Sequence, residues 1–308
     1  MKSEATQIAC LVNMEDAQSV LEEVKAVVSM MMPDFDFEPL NRAFSDVVNL
    51  FHGQYPGYRK CNTEYHDLKH TTDALLAMTR FIHGAMVNEQ VFSQKDIDLG
   101  LIGALLHDTG YIQTIDEDVG TGAKFTLTHI GRSILFMEKY LSENGYSRED
   151  VECCRAILEC TGLSVKISEI NFGSPEIEML GKMLGTADLL GQIADRTYLE
   201  KLPFLYHEFK EGDVPDFESE LDMLKKTPEF YDRTIERFER ELGGVNRYMR
   251  DHFRVRWGID EDLYVTSMEN KIKYLKYVLE DHEDDYREYL RRGNLMEKLD
   301  RIDRQRES

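Results

Sequence analysis

Apolar residues recur three and four positions apart through most of the chain, the spacing of one buried helical face. Between residues 15 and 32 the stripe is Ala17, Val20, Leu21, Val24, Val28 and Met31, and Pro33 ends it. Leu40, Phe44, Val47, Val48 and Phe51 form the next stripe, before the turn-rich GQYPGY. Ala74, Ala77 and Phe81 mark a third, and Ile130, Ile134, Met137 and Leu141 a fourth. One stretch is different: LGLIGALLHDTGY, residues 99–111, is apolar on almost every side, so it belongs in a core, and Gly110 marks its stop. Ser147 to Asp150 reads as a capping box opening VECCRAILECTGL. Ser174 and Pro175 open a helix whose stripe is Ile177, Leu180, Leu184, Ala187 and Gly191. Beyond Gly212, Thr227-Pro228-Glu229 predicts a helix start, and Met268, Ile272, Leu275 and Leu279 line a further helix. The charged tail has a thin stripe of Leu295, Leu299 and Ile302 and a frayed end. No strand series and no internal repeat interrupts this pattern. The prediction is an all-α protein with a helix in 1–35 packed on a core domain, 36–212, and a helical extension over 213–308.

Composition narrows the partners. With 37 basic and 58 acidic side chains the net charge is −21, which repels polymeric nucleic acid and anionic membrane and draws divalent cations. Five cysteines, Cys10, Cys61, Cys153, Cys154 and Cys160, contain no CxxC pair, the pattern of reduced thiols rather than a disulfide frame or zinc ribbon. The opening MKSEATQIACLVNMED is too polar for a signal peptide, and no apolar run reaches membrane-spanning length. The expectation is a soluble, cytoplasmic protein with a small-molecule partner, no nucleic acid and no membrane, for which a homo-oligomer is an open option.

The chemistry concentrates on a few polar residues at apolar positions. His107 and Asp108 emerge at the inner end of the apolar stretch, where an unpartnered carboxylate costs on the order of several kcal/mol and calls for hydrogen bonds or a metal. In TEYHDLKHTTDALLAMTRFIHG, His66 and His70 stand four apart and are expected to share one helix face, either as joint ligands or as one ligand and one group facing substrate. Asp188 falls about 20° from Ile177 around its helix, an acid on the buried face. His129 sits in the first turn of a helix, where a neutral imidazole can take a metal or a substrate phosphate, with Arg132 close behind. Two imidazoles and two carboxylates, His70, His107, Asp108 and Asp188, suit a divalent ion with positions left for water.

In that order the residues make the chain resemble the HD superfamily of metal-dependent phosphohydrolases, named for an adjacent His-Asp pair, over roughly residues 40–209. The resemblance implies a phosphodiesterase-like helical bundle with additional C-terminal helices, and His70, His107, Asp108 and Asp188 as metal ligands. YHDLKH looks like the opening of the cyclic-nucleotide phosphodiesterase branch, which makes His66 the general acid at the leaving oxygen; Asp108 or Asp188 is the expected orienter of the nucleophile. Three departures limit the likeness: Tyr111 stands where that branch carries a further histidine, Gly162 replaces an acid, and no glutamine lies between Gln192 and Gln305 to clamp a purine. It therefore does not extend to cyclic AMP or GMP.

The implied activity is hydrolysis of a phosphate mono- or diester, nucleotide-like, by a metal-activated water. The ligand types admit Fe, Mn, Mg, Ni or Zn, one ion held tightly and a second, weaker one optional. His129 and Arg132 are the expected substrate contacts. Two other classes use the same scaffold: a catalytically silent nucleotide-binding sensor and a di-iron oxygenase.

Overall fold

The computed structural model describes residues 7–306, and these form twelve α-helices, with no strand among them. In chain order they are α1 (Ala17–Met31), α2 (Glu38–Phe51), α3 (Leu68–Val87), α4 (Gln94–Leu106), α5 (His129–Glu143), α6 (Arg148–Glu159), α7 (Pro175–Ala194), α8 (Tyr198–Glu211), α9 (Glu220–Arg240), α10 (Tyr248–Trp257), α11 (Leu263–Asp281) and α12 (Leu295–Arg306). The all-α reading holds. Side-chain caps begin many of these helices: Asp16, Asp67, Ser174, Ser219 and Asp262 each accept from a backbone N–H of the first turn, and Ser93–Asp96 and Ser147–Asp150 are reciprocal capping boxes. No helix among the described residues is long and apolar enough to cross a membrane, and no disulfide links the five cysteines.

Three local expectations need correction. The apolar stretch leaves the helix at Leu106, and Thr109–Tyr111 turn as a 3-10 helix, so Gly110 lies inside a turn rather than ending a helix. Pro228 does not start a helix but sits inside α9, which the Ser219 cap has already begun eight residues earlier. His66 and His70 do not share a helix face, because the Asp67 cap starts α3 at Leu68 and leaves His66 in the preceding turn. The first six residues, within the expected N-terminal segment, and the side chain of Ile302 lie outside the described set.

At the centre stands α3, which packs against α1, α4, α7 and α10. Every residue from His70 to Ala85 is buried, although Thr71, Thr72, Asp73, Thr79, Arg80 and His83 are polar. Several of these groups find partners inside: the Thr79 hydroxyl donates to the Leu75 carbonyl at 2.8 Å and Arg80 donates to the Tyr264 hydroxyl at 2.8 Å. One apolar core runs from Ile8 to Leu299, so the C-terminal helices share it rather than building a second.

The crossing of α3 and α10 depends on Gly84, where an added Cβ would lie 1.9 Å from the Tyr248 carbonyl oxygen. Backbone cannot yield as a flexible side chain can, so Gly84→Ala is expected to lose about 1–3 kcal/mol or more of stability, read as a lower urea midpoint with unchanged slope.

Inside α4, Asp98 is an acid in the buried run from Ile97 to Leu106, and burial pushes its carboxyl from 3.8 to about 6, against a hydrogen bond from Tyr146 and with the charges of Asp36 and Asp150 adding. Because the folded value is the higher one, the folded state holds more protons between these values, and its contribution to stability is lost as pH rises from about 4 through 6. Asp98→Asn is thus expected to exceed the parent by about 1–3 kcal/mol at pH 7.5 and to match it near pH 4 in urea titrations.

Candidate metal centre

Three helices bring the ligand types together. His70 lies in the first turn of α3, His107 and Asp108 follow the last residue of α4, and Asp188 lies on α7, and these helices pack on one another in pairs. The result is a buried group of His70, His107 and Asp108 able to hold a metal ion, with Asp188 against it. His70 Nε2 is 3.2 Å from His107 Nε2, 3.0 Å from Asp108 Oδ2 and 3.1 Å from Asp188 Oδ1. His107 Nε2 is 3.4 Å from Asp108 Oδ2 and 3.6 Å from Asp188 Oδ1.

The spacings among His70, His107 and Asp108 fit one cation. Ligand bonds of about 2.0–2.2 Å meeting at about 90–110° set neighbouring donor atoms roughly 3.0–3.4 Å apart. The tautomer fits as well: His107 Nδ1 donates to the Ala104 carbonyl at 2.8 Å, which leaves the lone pair of the neutral ring on Nε2. Asp108 Oδ2 receives no hydrogen bond in its buried place, as expected of an atom shaped to meet a cation. Burial disfavours the His70 imidazolium, but the carboxylates of Asp108 and Asp188, 3.0 and 3.1 Å from its Nε2, outweigh it and lift the ring to about 9. His107 is raised in the same way, and the two rings hold Asp108 and Asp188 well below the usual carboxylate range against the pull of burial.

Beside the four ligand types stands a group of three rings. Tyr111 stacks on His66, with centroids 4.1 Å apart, and on His129, at 4.6 Å, both nearly parallel to it, and the two imidazoles are 6.3 Å from each other. Gly110 permits this, since a Cβ there would lie 2.0 Å from the His129 carbonyl oxygen. His66 Nδ1 is 2.7 Å from Glu208 Oε2, and Glu208 Oε1 also accepts from the backbone N–H groups of Glu64 and Tyr65 at 2.7 Å each. A carboxylate only accepts, so His66 carries a proton on Nδ1 and turns Nε2 toward Tyr111, whose hydroxyl is 3.4 Å away. His129 Nδ1 donates to the Thr126 carbonyl at 2.6 Å and faces Nε2 to Asp108 Oδ1 at 3.9 Å; burial lowers its pKa, with the Asp108 charge opposing.

A family model described as Npun_R2479-like matches residues 116–244. The matched span takes in His129, Arg132, Asp188 and Glu208 but not His66, His70, His107 or Asp108. No curated protein and no solved structure matches the chain.

Of the remaining expected site residues, Arg132 is not brought into the cluster. Its guanidinium makes a bidentate pair with Glu117 at 2.9 Å, donates to the Gly110 carbonyl at 2.8 Å and lies over the Phe125 ring. A phosphate would reach it only by displacing Glu117. Its evident effect is to tie α5 to the turn that carries Tyr111.

Two residues that the sequence pattern did not single out support the site. Glu208 is 142 positions from His66, and no spacing rule connects them. Gln192 is one turn beyond Asp188 on α7, a signal that was available; its Nε2 donates to Asp188 Oδ1 at 2.6 Å and its Oε1 accepts from the Tyr65 hydroxyl at 3.0 Å. Gln192 thereby holds the Asp188 carboxylate in place. Gln192→Leu is expected to weaken metal binding about 10–100-fold while the fold persists, read by chelator competition alongside circular dichroism.

Proposed function

We propose that this chain is a metal-dependent phosphohydrolase of the HD type, acting on a phosphate mono- or diester of a small, nucleotide-like molecule. The observation that carries the reading is the convergence of two imidazole nitrogens and two carboxylate oxygens brought in by three helices, each imidazole nitrogen lying within 3.0–3.6 Å of the other and of both oxygens, next to a histidine held by a buried glutamate. His70, His107, Asp108 and Asp188 would hold a divalent cation, Fe, Mn, Mg, Ni or Zn; Asp108 Oδ1 and His129 Nε2 offer ligand atoms to a second, weaker one. Such an ion lowers the pKa of a water toward neutrality and offsets phosphoryl charge.

The side chains supply the rest. When cationic, His66 keeps a proton on Nε2 for the departing alkoxide, and Glu208 stabilises that charge through Nδ1. Tyr111, stacked on the ring, restricts its tilt, so the proton is presented in one direction. Asp108 and Asp188, held by His70, His107 and Gln192, accept hydrogen bonds that orient a water for attack. Burial of the cluster keeps bulk water from competing and strengthens each of these interactions.

The deciding experiment is elemental analysis of the purified chain, followed by a panel of phosphate mono- and diesters with each metal restored. Close to one ion per chain and turnover of at least one ester class is the expected result. Nucleotide binding without any turnover would replace the reading with a silent sensor, and two irons with oxygen uptake would replace it with an oxygenase.

A further inference from the structure

A second concave site lies on the same helix as the metal centre but nine residues earlier, about 13 Å along the axis. It is a cleft of about 460 Å³ between α2, α4, the end of α5 and the start of α6, walled by Arg42, Lys95, Asp98, Ile102, Tyr140 and Tyr146. That volume is in the range that takes an organic ligand.

Asp98 is the unusual member. It is only 8% exposed, its Oδ2 accepts from the Tyr146 hydroxyl at 2.5 Å, and its Oδ1 receives no hydrogen bond. A buried carboxylate oxygen left without a donor is costly, so whatever occupies the cleft gains by bringing one. The neighbouring donors are engaged elsewhere: Lys95 pairs with Asp150 at 2.7 Å, Arg42 donates to Asn144 at 2.9 Å and pairs with Glu38, and the Tyr140 hydroxyl donates to Asp46 at 2.9 Å. Asp36, Asp98 and Asp150 in the lining, with Glu38 and Asp46 behind, outnumber Arg42 and Lys95, so the local field favours a cation.

An inorganic ion lacks the ligands to stay there, since His70, His107 and Asp108 are the one set of three metal-ligating side chains that converge among the described residues. The two tyrosine rings and Ile102 suit methylene groups instead. We propose that this cleft binds a small alkylammonium of the diamine or polyamine class, one ammonium donating to Asp98 Oδ1 and the carbon chain lying along Tyr140, Tyr146 and Ile102. The site is independent of the phosphohydrolase reading, because none of its residues belongs to the metal centre.

Calorimetric titration of the full chain with putrescine and spermidine at pH 7.5, at constant ionic strength, tests it. Saturable binding at one site per chain is expected, weakened about tenfold or more in Asp98→Asn, the worth of one charge-assisted hydrogen bond, and retained in His107→Ala. Lys95 is well exposed, so Lys95→Met keeps the fold and, by removing a competing cation, is expected to bind the amines more tightly. No saturable binding by the parent, equal binding by Asp98→Asn, or unchanged or weaker binding by Lys95→Met would each overturn the proposal, the second by assigning the amines to the acidic surface at large.

Discussion

Replacing His107 by alanine is expected to empty the metal centre and to abolish ester hydrolysis with it. His107 is 1% exposed, its Nδ1 is anchored on the Ala104 carbonyl, and its Nε2 stands between Asp108 and Asp188. Removing it takes one donor from the cation and leaves two buried carboxylates with only His70 to share. The loss in metal affinity should exceed the roughly 10–100-fold that loss of an outer partner such as Gln192 costs. Elemental analysis and ester turnover, measured on the same preparation, are the readouts, with circular dichroism to show that the bundle persists. A variant that keeps its metal and hydrolyses as fast as the parent would show that the four side chains are not the centre.

His66→Ala should separate what His107→Ala removes together. His66 touches none of the four ligand atoms; it is held by Glu208 and stacked on Tyr111. The expected result is unchanged metal content with turnover lowered about 10²–10⁴-fold, the usual worth of a positioned acid. The loss should be largest for esters with poor leaving groups and small for activated aryl esters, whose leaving oxygen needs no proton. Glu208→Gln should lie between, because its amide can still accept from Nδ1 but no longer stabilises the imidazolium. If His66→Ala slows activated and unactivated esters equally, the ring acts in binding and not in proton transfer.

Much of the bundle was legible from spacing. The stripes of α1, α2, α5 and α7 and the serine caps of α6 and α7 are local signals, and they sit where the periodicity puts them. Periodicity read only one face of α3: with threonines, an arginine and two histidines around its circumference it resembles a half-exposed helix, yet it is buried on all sides, and several of its polar groups find partners within the bundle. The Asp67 cap shows a finer limit. HxxxH spacing says that two rings share a face only if both residues are helical, and a capping aspartate between them placed one ring outside the helix.

The site divides along the same line. His107, Asp108 and Asp188 stand out in the sequence because a charged or titratable side chain on a continuous apolar face must be paired in the interior, a requirement that needs no coordinates to state. The pairing itself is another matter. That His70 meets all three within 3.6 Å, that Glu208 holds His66 from 142 residues away, that Arg132 is spent on Glu117, and that Asp98 faces a cleft follow only from how distant segments of the chain pack together. The order of residues along the chain determined which helices form and which polar groups would need partners, because caps and periodicity act over a turn or two. Tertiary packing alone decided who the partners are, because those contacts join side chains whose separation in sequence leaves no local trace.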